Sequence, residues 1–234
     1  VILKQEGLNP LLQVVSRDRN RLAMQADIIG AYSLGIDTML CLSGDHTKFG
    51  DHPMAANVHD IDSIQMIQMV RKMRDEGLQQ GGDKLQVAPK FHIGASWTPL
   101  GDPIDFRPVN LKKKVDAGAD SAITQYFYNP YAYFRFVDSC ERLGVDLPIV
   151  PGIMPITNYS QLARFSDACG AEIPRWLRRR LEGFGDDRAA IRAFGIDVVT
   201  ALCARLLAEG APGLHFYTMN QSGPTLAIWR NLGL

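Results

Sequence analysis

The chain has 234 residues, 46% hydrophobic and 21% charged, with 25 basic and 25 acidic side chains and a formal net charge of zero. That length can bury a core of its own without disulfides or metals. The balanced charge excludes a broad electrostatic footprint for nucleic acid or an anionic membrane, and with no run of about 18 apolar residues no membrane span is expected. Cys41, Cys140, Cys169 and Cys203 stand far apart, without a C-x-x-C pair or a histidine at ligand spacing. They read as reduced thiols of a cytoplasmic protein. No signal peptide is visible, and the chain opens on Val1.

Along the chain, short β-rich runs alternate with longer helical patterns. Strands are expected at Leu11–Val15, Thr38–Leu42, Gln86–Ala95, Ser121–Phe127, Pro148–Pro151 and Gly213–Thr218. Helical periodicity covers Asn20–Leu34, Asp62–Glu76 with Asp62 as N-cap, Pro108–Ala117, Pro130–Leu143, Asn158–Cys169 and Asp187–Glu209. Gly35, Gly77, Gly118, Gly144 and Gly210 each stand where a helix should stop before the next strand. The basic cluster Arg178–Arg180, beside Trp176, Leu177 and Leu181, reads as the wet face of a further helix, with phosphate binding as the alternative.

This alternation predicts an α/β fold with a parallel sheet, either doubly wound or a (β/α)8 barrel. No G-x-G-x-x-G opens a helix after a first strand, which weighs against the dinucleotide-binding version. Polar residues instead gather after the strand ends, at Ser43-Gly44-Asp45, Ser96-Trp97-Thr98, Gln125-Tyr126, Met154 to Asn158 and Met219-Asn220-Gln221. A barrel carries its active site on that rim. Six strands are two short of a closed barrel, and about 60 residues, at roughly 30 per βα unit, would supply the difference.

Four segments then acquire a common meaning. These are LSGDH (42–46), NLKKKVDAGADSAITQYFY (110–128), PIVPGIMPITNYSQLARFS (148–166) and LHFYTMN (214–220). Together, in this order and spacing, they resemble the flavin-binding catalytic domain of the methylenetetrahydrofolate reductase family, along essentially the whole chain. The resemblance implies a single catalytic TIM-barrel domain over residues 1–234, holding strands three to eight, with the first two βα units absent. The family's proton-donating glutamate, near the end of the first strand, has no counterpart here.

The resemblance also assigns residues. Asp45 would sit beside the flavin and the folate pterin, tuning the flavin and binding folate, with Ser43 and Gly44 completing the loop; many relatives have arginine at the position of Ser43. A plain Asx turn is the alternative for Asp45. Gln13 stands where better-known members have a flavin-contacting histidine, or is a polar residue of the barrel interior. His59 and Asp60 are flavin neighbours, within a stretch whose histidine and acid spacing fits no standard metal site. Ala95, Ser96 and Trp97 would line the flavin, with a core aromatic the alternative for Trp97. Asn110, Lys113 and Lys114 would meet the ribityl and diphosphate, or the lysine run is a solvated face. Gln125, Gln161 and Gln221 would bind substrate. Gln221 replaces an arginine and cannot form its bidentate ion pair. Tyr217 packs or bonds near the flavin.

The implied cofactor is FAD, and the implied partners are NADH or NADPH and methylenetetrahydrofolate or methyltetrahydrofolate, in a ping-pong hydride transfer that can also run in reverse. Homo-oligomers are usual in the family, and no metal is expected. Two other readings stay open: a non-catalytic flavin-binding subunit, and a flavin-free TIM-barrel lyase or methyltransferase of one-carbon metabolism.

Overall fold

The computed structural model describes residues 1–100, 103 and 106–234. These fall into two compact units, Val1–Ser96 with Leu111–Ala122, and Trp97–Asn110 with Ile123–Leu234. The strands follow one another in the sheet in chain order, β1-β2-β3-β4-β5-β6.

The first unit opens with a single turn, α1 (Ile2–Gln5), followed by β1 (Leu11–Val15), α2 (Arg21–Ser33) and β2 (Thr38–Leu42). A 3-10 turn at Thr47–Phe49 leads to α3 (Ser63–Arg71), which continues as a π-helical turn over Lys72–Glu76. Next come β3 (His92–Trp97) as far as Ser96, α4 (Phe106–Ala117) from Leu111 on, and the start of β4 (Ser121–Tyr126), the other residues of each belonging to the second unit. β1 pairs in parallel with β2, from Leu11↔Thr38 to Val15↔Leu42, and β2 pairs in parallel with β3. Parallel neighbours need a crossover of a dozen residues or more, and α2 and α3 supply the helical part of each.

Strand periodicity decides what each face does. Val14, Met39, Cys41, Ile93 and Ala95 point to the helices and are buried there with Met24, Ile28, Met66, Ile67, Met69, Val70 and Met73. Each valine, isoleucine and methionine among them contributes about 1.5–3 kcal/mol on burial, and the flexible methionines fill the irregular space between α2, α3 and the strands. Gln13, Leu40, Gly94 and Ser96 therefore belong to the opposite face. Both helices start as their sequences dictate. The Asn20 side chain accepts from the Ala23 N–H, and Asp62 with Gln65 forms a complete capping box.

The second unit holds the rest of β4, then α5 (Pro130–Arg142), β5 (Ile149–Ile153), α6 (Tyr159–Cys169), α7 (Arg175–Glu182), α8 (Arg188–Ala208), β6 (His215–Phe216) and α9 (Ser222–Asn231). β5 and β6 pair in parallel through Gly152↔His215 and Ile153↔Phe216. α8 buries Ile191, Gly195, Val199, Leu202, Cys203 and Leu206, a stripe at helical spacing. In α7, Leu177 and Leu181 are buried while Arg179 and Arg180 stay at the surface, so the arginine run is a wet helix face.

Several boundaries differ from the expectation. The strand expected over Gln86–Ala95 begins only at His92, because Pro89 lacks the N–H a ladder needs. Before it, Leu78 and Lys84 form an isolated antiparallel bridge. The last strand shrinks to two residues. All five helix-stopping glycines have positive φ, between +66° and +120°.

Candidate active site

In the first unit, the ladder between β1 and β2 runs past both strand ends. Ser16 N–H donates to Leu42 O at 3.0 Å, and Arg17 N–H to Ser43 O at 3.1 Å. The chain then turns at Gly44, with φ +83°. A Cβ at Gly44 would stand 2.3 Å from Val15 Cγ1, so the close approach this glycine permits is to the protein's own first strand. Asp45 follows, exposed, and its carbonyl accepts a hydrogen bond from Arg17 Nη1 at 2.6 Å. The Ser43 hydroxyl accepts the Ser63 N–H at 3.2 Å, which ties the turn to the start of α3.

The lysine run divides into three fates. Lys112 pairs with Asp116 one turn along α4, Lys113 is exposed, and Lys114 is only 6% exposed with its Nζ donating to Ser96 O at 2.6 Å. Burial pulls the Lys114 ammonium below its ordinary range, and the Cys41 thiol and Asp62 work against that shift. Asn110 lies one helical turn before Lys114, on the same side of α4. Ser96 and Ala95 cannot line the same space, since successive strand residues face opposite ways. Ala95 is fully enclosed in the core, which corrects its expected place against a ligand. Gln13 is exposed on the face of β1 away from the helices. Trp97 closes β3, half-buried.

Two expected flavin neighbours occupy other roles or conformations. The Asp60 carboxylate is clasped by Arg21, accepting from its N–H and Nε on Oδ2 and from Nη2 on Oδ1. Those hydrogen bonds hold the carboxyl at about 2, well below the usual range. His59 is exposed, with φ +43°, a left-handed conformation uncommon outside glycine.

In the second unit, a cavity of about 170 Å³ opens between the end of β5, α6 and the segment after β6. It brings together Gln161 and Gln221, with Phe165, Tyr217, Met219 and Asn158 among its walls. Its size, well under the ~300 Å³ of a whole-ligand pocket, suits one aryl ring or a fragment of a larger molecule. Asn158 caps α6 by accepting the Gln161 N–H at 2.9 Å. That fixes the Gln161 backbone, while its side-chain amide has no hydrogen bond within the protein among the described residues. Gln221 closes a turn in which Met219 and Asn220 both have positive φ, +49° and +59°, and its N–H donates to Thr218 O at 2.9 Å. Two such residues in succession fit a type I′ turn, an unusual conformation for methionine.

Tyr217 forms a fixed wall. Its hydroxyl donates to Thr124 O at 3.0 Å, and its ring meets Tyr126 and His215 edge-on. Burial pushes its phenol up to about 12, so it stays a neutral donor at ordinary pH. Tyr126 is more deeply buried, its hydroxyl hydrogen-bonded with the Ser166 hydroxyl at 2.9 Å. Gln125 does not line the cavity; its side-chain carbonyl turns back to accept the Tyr126 N–H.

Phe165 and Arg17 were not singled out by the sequence reading. Phe165 lies four residues after Gln161, the spacing that places both on one helix face, and it is 40% exposed. Arg17 lies two residues beyond β1, in the charged run Arg17-Asp18-Arg19, where nothing local marks it from its neighbours.

Comparison with known proteins gives these parts a common identity. The model of the family described as methylenetetrahydrofolate reductase matches residues 1–233. A 5,10-methylenetetrahydrofolate reductase of Buchnera aphidicola is 30% identical over 233 residues, covering 100% of this chain and 74% of that one. Methylenetetrahydrofolate reductase (NADH) 1 of Arabidopsis thaliana is 45% identical over 124 residues, covering 53% of this chain and 21% of its own. A 5,10-methylenetetrahydrofolate reductase of Escherichia coli is 39% identical over 126 residues, 54% of this chain and 43% of that one. With the plant and Escherichia coli proteins, the match spans less than half of the relative's length. The match along residues 1–233, with the rim motifs in order, makes this chain a member of the methylenetetrahydrofolate reductase family.

Proposed function

We propose that this chain carries the catalytic part of a flavin-dependent reduction of 5,10-methylenetetrahydrofolate to 5-methyltetrahydrofolate at the expense of NADH or NADPH. The observation that carries the reading is the family match over residues 1–233. On this reading the six parallel strands are six of the eight of a (β/α)8 barrel, and the polar strand ends form its working rim.

The donor set fits FAD. A diphosphate needs cations and amide or hydroxyl donors. Lys114, nearly buried beside Ser96, and Asn110 one turn earlier offer such groups. When bound, FAD supplies the hydride relay between nicotinamide and folate. The protein's own contribution is orientation and electrostatics. The exposed Asp45 carboxylate, at the end of a fixed turn, disfavours negative charge nearby and offers two acceptors to the N–H groups of a pterin. Gln161 and Gln221 present amides that donate and accept at once, suited to a site that takes two ligands in turn. Phe165 and Met219 add apolar walls for a flat ring. Gln221 lacks charge, so it can hydrogen-bond a carboxylate without forming an ion pair.

The test is an anaerobic visible spectrum of the purified full-length protein. The flavin absorbance is expected to bleach on adding NADH or NADPH and to return on adding methylenetetrahydrofolate. A protein that holds no flavin and takes none up from added FAD overturns the reading. A flavin that bleaches but is not restored by the folate leaves a flavin-binding subunit and removes the proposed reaction.

A further inference from the structure

We infer that Arg17 is a positioning residue for Asp45, its guanidinium fixing the turn that presents the Asp45 carboxylate, with Asp18 holding the guanidinium in place. The inference rests on the role proposed above for Asp45.

All three guanidinium nitrogens have work. Nε and Nη2 form a fork on the two Asp18 carboxylate oxygens at 2.6 and 2.7 Å, leaving Nη1 to donate to Asp45 O at 2.6 Å. The guanidinium is planar, so a fork on one side fixes the direction of the remaining donor on the other. Asp18 thus aims Arg17, and Arg17 holds the peptide carbonyl of the very residue whose side chain faces outward. The hydrogen bond to Asp18 is the main reason the Arg17 pKa is raised, and the Asp45 charge adds to it.

The side chain's task separates cleanly from the backbone's. Arg17 N–H donates to Ser43 O at 3.1 Å, and Arg17 O accepts the Val58 N–H at 2.7 Å. Those bonds stitch the β1 end to two loops and survive any substitution that keeps a backbone N–H. Among the described residues, the Arg17 side chain's hydrogen-bond partners are the Asp18 carboxylate and the Asp45 carbonyl. The turn is anchored on either side, by the Ser43 carbonyl and hydroxyl and by the buried Thr47, whose hydroxyl donates to Ala55 O at 2.9 Å, but between those anchors Gly44 adds no side chain and Asp45 is exposed. Without the Nη1 bond, the Asp45 carbonyl would lose the donor that sets the orientation of its peptide between those two anchors. Lysine in this place keeps a charge but has no fork, so it cannot serve Asp18 and the Asp45 carbonyl in fixed directions together.

The experiment uses the flavin-loaded full-length protein and stopped-flow absorbance under anaerobic conditions. The two half-reactions, reduction by NADH and reoxidation by methylenetetrahydrofolate, are timed separately and expressed as a ratio. Arg17→Lys is expected to lower the folate rate relative to the nicotinamide rate by about tenfold to a hundredfold, the scale of a catalytic group displaced by an ångström or so. Asp18→Asn, the gentler change and the one to use if Arg17→Lys does not fold, is expected to move the ratio in the same direction by a smaller factor. Combining Arg17→Lys with Asp45→Asn should lower the ratio no further than Asp45→Asn alone, because a positioning residue has nothing to position once the carboxylate is gone. A ratio within about twofold of wild type in both Arg17→Lys and Asp18→Asn, while Asp45→Asn still lowers it, overturns the inference and leaves the proposed function standing. Multiplicative losses in the double variant overturn it equally. A wild-type protein that performs neither half-reaction brings down the functional reading itself.

Discussion

A methyl group at Gly152 would stand 2.2 Å from Thr124 O and 2.8 Å from the Tyr217 ring. The first neighbour is backbone, which cannot swing away, and the second is the ring that walls the cavity. The same crowded spot holds two linked bonds: Gly152 N–H donates to Thr124 Oγ1 at 2.8 Å, and Tyr217 OH donates to Thr124 O at 3.0 Å. Gly152→Ala is therefore expected to destabilise by about 1–3 kcal/mol or more through overpacking. Urea unfolding measures it, and a midpoint equal to wild type would contradict the packing described here. At this scale the sequence was legible where chemistry and position coincide. The resemblance singled out Gln125, Gln161 and Gln221, and the last two line one cavity. It was illegible where partners decide. Asp60 is an unremarkable acid until Arg21, 39 residues away, clasps it, and Lys114 differs from Lys113 only in which side of α4 it occupies.

The Arg21–Asp60 clasp acts between elements. It joins the first residue of α2 to the segment leading into α3. Asp60 is held at about 2, below its ordinary 3.8, by the hydrogen bonds from Arg21. A carboxylate with a lowered folded-state pKa stabilises above its unfolded value, and that contribution disappears as pH falls through the folded value. The gap in Tm between wild type and Asp60→Asn should therefore be present at pH 6, begin to close below about pH 4, and vanish near pH 2. The pair is partly exposed, so the gap should be small and should narrow with added salt. A gap unchanged from pH 6 to pH 2 would assign it to something other than the ion pair. Among the elements, β1 and β2 were legible to the residue because each is a five-residue run with four apolar positions and clear ends. α9 was not foreseen: no side chain caps its start, and Gly223 and Pro224 in its first turn read locally as loop. The π-helical turn after α3 has no local signal either, since the helical period simply continues through it.

For the whole molecule, alternation was the legible property. Glycines at helix ends and apolar runs between helices predict a parallel sheet without any tertiary information and leave a doubly wound sheet or a barrel open; the observed chain order of the strands is the barrel's, not the doubly wound sheet's. The division into two compact units was not legible, because its boundaries cut through β3, α4 and β4 and none of these has a linker composition. Burial in both units can be tested through the cysteines. Cys41 belongs to the first unit, Cys140 and Cys203 to the second, and all three are fully buried. Desolvation pushes each of these thiols up to about 12. At pH 8 only about one in ten thousand of such a thiol is thiolate, the reactive form. Burial also bars the reagent, so reaction must wait for opening of the unit. Cys169, at the end of α6, is only partly buried. Treating the native protein at pH 8 with an excess of an aromatic disulfide reagent should therefore modify one thiol quickly, with the other three following at the slow rate of unfolding. In denaturant all four should react at once. Rapid modification of a second thiol would show that one of the two cores is open, and mass mapping of the labelled peptide would say which: Cys41 for the first unit, Cys140 or Cys203 for the second.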